Sequence, residues 1–395
     1  VSADGGKPAG GDAAPVSLGT IAREWGRIGC IGFGGPPTHI ALLRRLCVER
    51  RGWIEATEFE DAIATTNLLP GPASTQLAIY CAWRLRGTPG ALVGGVCFIV
   101  PGLVLILGLA AFFLSGDLPS WAAGAAAGAG AAVAAVAVQA GTGLLPASWQ
   151  RAGAQRSARA RWIGYLIVGA LAAALIGPWL VLVLVAAGLV EIVVRGAVPR
   201  RSGAAVGPLP LAVGVPALGG LAAVAWVALK VGALSYGGGF VIIPLMQSDA
   251  VDRYHWMSPG QFLNAVALGQ ITPGPVVQTV AVVGYAAAGV FGGLLAAVVA
   301  FTPSFLFIIF GGRHFDRLRA DRTIQAFLSG AGPAVIGAII GSAFPLAMAL
   351  RHGWQYAILA AAAVWLLIAR RGVVSALLGA GALGVAAALA GLPIG

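Results

Sequence analysis

Two tripeptides dominate the chemistry that this sequence offers: Pro70-Gly71-Pro72, running into Ala73-Ser74-Thr75-Gln76, and Pro273-Gly274-Pro275, running into Val276-Val277-Gln278. Proline inside a helix removes a hydrogen bond and clashes with the preceding turn, while glycine takes backbone angles that other residues avoid. Each Pro-Gly-Pro therefore ends one helix and starts another, the first restart lying near Pro72, because proline suits a helix's first turn. A second kind of break, Gly32-Phe33-Gly34-Gly35-Pro36, has a counterpart in Ser235-Tyr236-Gly237-Gly238-Gly239. Helix N-termini carry partial positive charge and free N–H groups, which makes them ready anion sites. Four such termini aimed at one point would suit a small anion.

Side chains point the same way. Arg27 and Lys230 each stand two residues before a glycine and shortly before a glycine-rich break. Lys230 lies in an apolar run, where a cation must reach water, a carboxylate or a bound anion; snorkelling from a helix end is the alternative. His39 either meets the substrate or serves as a local hydrogen-bonding group. Ser74, Thr75, Gln76, Gln270, Gln278 and Thr279 are candidates to line the site, with helix capping an equal account of Ser74 and Thr75. Arg84 and Arg86 mark a membrane interface, Glu191 pairs locally near a helix end, and residues 40 to 60 read as an amphipathic surface helix. No acidic residue is placed within a membrane core.

The elements that hold these residues follow from composition. With 395 residues, 58% hydrophobic, 10% charged and a mean hydropathy of +0.88, the chain is too apolar for a soluble globular protein. Apolar runs at 89–114, 121–145, 162–176, 178–194, 211–229, 290–310, 331–350, 354–369 and 373–392 approach or exceed the length that crosses a bilayer core of about 30 Å. Their Gly and Ala content lets helices approach closely. An all-α polytopic membrane bundle is expected, with the lipid bilayer as its partner. A net charge of +11 does not imply nucleic acid, because most basic residues fall in five loop clusters, as the positive-inside rule describes. Residues 1–17 read as a disordered tail without a secretory signal. The scattered Cys30, Cys47, Cys81 and Cys97 suggest neither a disulfide framework nor a metal site, and no cofactor is expected.

Sliding the chain on itself by 203 residues pairs Gly29 with Gly232, Arg50 with Arg253, Trp53 with Trp256, Phe59 with Phe262, Pro-Gly-Pro with Pro-Gly-Pro, and Ala78 with Ala281. A slip of one residue then pairs Gly87 with Gly289, Gly90 with Gly292 and Pro101 with Pro303. The chain is thus two copies of one unit, expected at 18–195 and 211–395 around a basic linker at 196–210. Equivalent loops differ in charge: Arg151, Arg156, Arg159 and Arg161 face only Arg351 and His352, while Arg313, Arg317, Arg319 and Arg322 face a first-half loop with no base. Inverted repeats of about five crossings each follow, with Pro-Gly-Pro in a hairpin that enters and leaves on one side.

Gly32-Phe33-Gly34-Gly35-Pro36 with His39-Ile40, then Val48-Glu49-Arg50-Arg51-Gly52-Trp53, then Leu69-Pro70-Gly71-Pro72, resembles the signature of the chromate ion transporter (CHR) family. Tyr236-Gly237-Gly238-Gly239 through Thr272-Pro273-Gly274-Pro275 resembles that family's C-terminal domain. The resemblance implies a two-domain transporter of the bacterial inner membrane that exports chromate, with sulfate as analogue and efflux drawing on the proton motive force; a homodimer is a further expectation. The substrate-binding candidates are then Arg27, Gly34, Gly35, His39, Pro70, Gly71, Pro72, Ser74, Gln76, Lys230, Tyr236, Gly237, Gly238, Gly239, Pro273, Gly274, Pro275 and Gln278. Chromate and sulfate are both tetrahedral dianions, so the residues do not choose between them. A sulfate importer, a channel or a proton-coupled symporter shares the architecture. A chromate-reducing enzyme would need a redox cofactor, for which no motif stands.

Overall fold

The computed structural model describes residues 16–66, 69, 71–114, 116, 118–175, 180–196, 219–235, 242–311 and 321–394. Pro70, the break at 236–241, most of the tail and nearly all of the linker lie outside the described residues. Those described form helices and their connections, with no strand among them. Five segments are long and apolar enough to cross a membrane: Ala73–Phe113, Ser120–Ala152, Arg156–Leu175, Val276–Gly311 and Arg322–Met348. Shorter apolar helices, Leu180–Val194, Gly220–Leu234, Gly353–Ile368 and Val373–Leu389, join them. The protein is an all-α, polytopic membrane protein.

The first half opens with α1 (Leu18–Ile31), which buries Ile21, Trp25 and Ile28, residues spaced along one helical stripe. Ser17, expected in the tail, instead caps this helix, its Oγ accepting from Thr20 N–H at 3.1 Å. Gly34 (φ +97°) and Gly35 (φ +75°) turn the chain into α2 (Pro36–Arg44). A π-helical turn, Arg45–Arg50, precedes α3 (Ala56–Thr66), and Gly71 (φ +123°) turns the chain into α4 (Ala73–Phe113). Then come α5 (Ser120–Ala152), α6 (Arg156–Leu175) and α7 (Leu180–Val194).

The second half repeats these devices in order. α8 (Gly220–Leu234) leads to α9 (Ile242–Gln247), a second π turn at Ser248–Arg253, α10 (Pro259–Ile271), a 3₁₀ turn at Val276–Gln278, and α11 (Thr279–Gly311). α12 (Arg322–Gly341), α13 (Ala343–Met348), α14 (Gly353–Ala363) and α15 (Val373–Leu389) complete it. After the π turns, Trp53 N–H donates to Cys47 O at 2.7 Å and Trp256 N–H to Ala250 O at 2.8 Å. A Cβ on Gly29 would strike Phe98 O, and one on its counterpart Gly232 would strike Ala300 O.

Two features explain how broken segments reach the middle. Glu58, in the first turn of α3, accepts from Arg84 Nη2 at 3.0 Å and from Tyr80 at 3.3 Å, so α3 and residues 73–85 run antiparallel with Gly71 at their tip. That arm is about 20 Å long at 1.5 Å per residue, short of a bilayer core of about 30 Å. At Arg86-Gly87 the helix breaks (Gly87 φ 61°, ψ −148°), and Gly90 and Gly94 then pack tightly back on Ala82. Ala288-Gly289 makes the same reversal (Gly289 φ 62°, ψ −154°). The run 89–114 is thus the second arm of a helical hairpin.

The halves are interwoven. α5 packs most extensively on α15, and α12 on α6 and α7. Glycines permit this: Gly124 and Gly128 abut the α15 backbone at Gly384 and Ala380, and Gly337 and Gly341 abut the Leu166 and Ala170 carbonyls of α6.

Candidate functional site

The two Pro-Gly-Pro tips each cross the glycine break of the other half. Gly71 N–H donates to Ser235 O at 2.8 Å, and Gly274 N–H donates to Gly32 O at 3.1 Å. Gly32 and Ser235 are counterparts at an offset of 203, so the two bonds are one contact made twice. Gln76 and Gln278 both lie against their own tip glycine. This places the one-residue slip between Pro-Gly-Pro and the glutamines, ahead of Ala78, because the second half enters its helix through a 3₁₀ turn.

Around Gly274 the contacting polar groups are engaged. Gln278 Nε2 donates to Ile99 O at 2.7 Å, and Gly102 sits so close to Pro273 O and the Gln278 amide that any side chain there would collide. Gly32 O also receives His39 Nε2–H at 2.9 Å. Because that carbonyl only accepts, the proton is on Nε2, which leaves Nδ1 to accept from Ser74 Oγ at 3.2 Å. His39 is fully buried, with its ring edge-on to Phe98 at 5.1 Å. It is a brace between the two crossings, and Ser74 bonds to it in place of capping α4.

Around Gly71 the chemistry differs. Ser304 occupies the place of Gly102, and its Oγ lies 3.2 Å from where a Cβ on Gly71 would stand. Ser304 Oγ, Ser235 Oγ and Thr75 Oγ1 are all buried and have no hydrogen-bond partner among the described residues. Leaving such a group unpaired costs about 1–3 kcal/mol, so hydroxyls on residues of both the tip and the break it crosses leave hydrogen-bonding capacity open there. The restart of α4 adds the N–H groups of Ala73 and Ser74, which stand too early in the helix for intrahelical partners. Gln270 Nε2, on α10 four residues before Gly274, also lacks a partner among the described residues.

Other candidates fall elsewhere. α2 begins Pro36-Pro37, neither of which has an N–H, and the next two amides, Thr38 and His39, both donate to Gly35 O at 3.1 and 3.2 Å. Its N-terminus therefore offers no free donor, which the paired prolines already implied. Gly35 still approaches the second tip, with Val276 Cγ2 3.6 Å from its Cβ position, while Gly34 is exposed. Pro72 and Pro275 stand as the residues before their helical turns. Tyr236, Gly237, Gly238, Gly239 and Pro70 lie outside the described residues.

The two cations also part company. Lys230 Nζ pairs with Asp249, a carboxylate only 4% exposed, and lies 5.8 Å from the Trp226 ring. Asp249 is a buried acid that the sequence reading did not single out. It lies in the counterpart of a segment read as surface helix, at the position that the buried Leu46 holds in the first copy. Arg27 is exposed and borders a recess away from the crossings. Glu191 is held by Arg161, Arg195 and Tyr165 at 2.7–3.1 Å, a local clamp on α6 and α7.

Comparison with known proteins places this architecture. A chromate transport protein of Cupriavidus metallidurans is 33% identical over 352 residues, covering 85% of this chain and 84% of that protein. One of Pseudomonas aeruginosa is 31% identical over 355 residues, covering 84% and 82%. An uncharacterized transporter of Methanocaldococcus jannaschii is 26% identical over 360 residues, covering 83% and 84%. No solved structure matches the chain. The family described as chromate transporter matches residues 19–192 and 222–385, one match on each set of crossed elements. The chain belongs to the chromate transporter family.

Proposed function

We propose that this protein is a secondary transporter that exports chromate from the cytoplasm across a bacterial inner membrane, with sulfate as an analogue, and that the dianion binds where the Gly71 tip crosses Ser235. The observation that carries this is the set of partnerless buried hydroxyls of Thr75, Ser235 and Ser304 around a glycine tip. A tetrahedral dianion presents four acceptor oxygens, enough to engage these hydroxyls and the N–H groups at the start of α4, where the helix dipole also favours negative charge. Gly71 and Gln76 shape the cradle, and His39 and Ser74 fix it to the Gly274 crossing.

The two copies form inverted repeats in this account, and the site lies at one of the two crossings that their pseudo-symmetry relates. Rocking of one copy against the other would expose the crossing alternately to each side. Export needs no further energy source in principle: a double negative charge moving outward through 100 mV, inside negative, gains roughly 4.6 kcal/mol.

Uptake into energised inside-out vesicles tests this directly. Chromate accumulation, lost when the potential is collapsed and reduced by excess sulfate, is the expected result. Sulfate entering right-side-out vesicles, with no chromate accumulated in inverted ones, would replace export by import.

A further inference from the structure

A second place on the molecule has the chemistry of an oxyanion site. Arg27 of α1 and Arg45 and Arg50 of the first π turn border one recess of about 110 Å³, floored by Ile28, Ile31 and Leu46. None of the three arginines pairs with a carboxylate among the described residues, although acids are near. Glu24 borders the recess, but its carboxylate accepts from Arg51 at 3.3 Å and lies 3.6 Å from Arg23. Glu49 and Glu60 are both engaged by Arg44. These three acids are thus each taken by an arginine outside the recess.

The second half shows what the same scaffold does when it closes this place. The counterpart of Arg27 is Lys230, that of Arg45 is Ser248 and that of Leu46 is Asp249, and the resulting Lys230–Asp249 pair neutralises the position from within. Arg253, the counterpart of Arg50, lies 5.1 Å from the Tyr254 ring. One copy therefore satisfies its cation internally, and the other presents three guanidinium groups to one small concavity. Planar guanidinium forks bind tetrahedral oxyanions through paired hydrogen bonds.

We propose that the Arg27–Arg45–Arg50 recess is a peripheral oxyanion site, distinct from the crossing, which takes a tetrahedral oxyanion either free in solution or as the phosphate of a lipid headgroup. Arg27 stands five residues before Gly32 on α1, roughly 7–8 Å along the helix axis, so an anion held here waits about one and a half turns from the crossing. The site's existence does not depend on the crossing being the central site.

Equilibrium binding of radiolabelled sulfate to the purified full-length protein in detergent tests it, alongside mass spectrometry of anionic phospholipid retained from phosphatidylglycerol-containing vesicles. The variants are R45Q/R50Q, at exposed positions, R45K/R50K, and S235A/S304A. Two sulfate equivalents in the parent, falling to one in R45Q/R50Q with the weaker affinity of a partial site in R45K/R50K, would establish a free-anion site. Unchanged sulfate binding with loss of retained phosphatidylglycerol in R45Q/R50Q would establish the lipid phosphate as the occupant. Unchanged sulfate stoichiometry and unchanged lipid retention would overturn the proposal. S235A/S304A keeping every equivalent while R45Q/R50Q loses one would remove the crossing as a site and leave this one standing.

Discussion

Around Gly274, Gln278 and His39 have protein partners and Gly102 leaves no room for a side chain; around Gly71, Ser304 replaces that glycine and three hydroxyls are left without partners. The backbone hydrogen bond is the same at both crossings, so the difference in polar partners lies in the side chains around it and in the 3₁₀ turn that follows the second tip. A duplicated fold that closes one copy of a contact and leaves the other incomplete separates scaffold from site. The cations repeat this lesson in reverse, with Lys230 closed by Asp249 in the second half and Arg27 open in the first.

That contrast can be broken most forcefully at Lys230. Lys230→Ala strands Asp249 in a buried position, for which a loss of about 3–5 kcal/mol is expected; a pairing of Lys230→Ala with Asp249→Ala should recover most of it. Thermal unfolding in detergent reads both, and an unchanged midpoint for the single variant would mean the pair carries little. Next comes Gly71→Ala, which forces alanine to φ +123° and drives a methyl into the Gln76 amide. Gly274 also holds a positive φ, +96°, so backbone strain of about 1–3 kcal/mol is common to both tips, and the closer contact should make Gly71→Ala more damaging to transport than Gly274→Ala, whose nearest obstruction is 3.1 Å away. Equal transport rates for the two would erase the asymmetry. His39→Ala removes the bonds to Gly32 and Ser74 and should lower stability by about 1–3 kcal/mol, with chromate affinity changed far less than the unfolding midpoint. The smallest effect is expected from Arg27→Ala on stability, within about 0.5 kcal/mol, because no partner is stranded; a loss as large as that of Lys230→Ala would show that the recess is structural.

Much of the frame was legible in the sequence. Pro-Gly-Pro and Gly-Gly-Pro broke helices where expected, α4 restarted beside Pro72, and Glu191 paired locally, because backbone constraints and neighbours within one or two helices decide these features. The cross-half contacts were not legible: that Gly71 meets Ser235 depends on how two distant segments interleave. Asp249 was hidden because its segment reads as the counterpart of an amphipathic surface helix, while its own position is that of the buried Leu46. One usable clue was passed over. Where the two copies disagree in polarity, as at Ser304 against Gly102, His39 against Ile242 and Asp249 against Leu46, the common fold cannot be the reason for the polar residue.

The central claim is that the anion sits at the Gly71 crossing and not at its twin. Chromate affinity of the purified protein, measured by equilibrium binding for S235A/S304A and for Thr272→Val, tests it most directly. Thr272 is the control because its hydroxyl, beside the second tip, is already bonded to Leu268 O at 2.8 Å. Hydrogen bonds to a charged group contribute about 1.5–3 kcal/mol each, so S235A/S304A should weaken binding by at least about 10-fold with folding intact, and Thr272→Val should leave it within about twofold. Equal weakening by both variants, or by neither, would contradict the account.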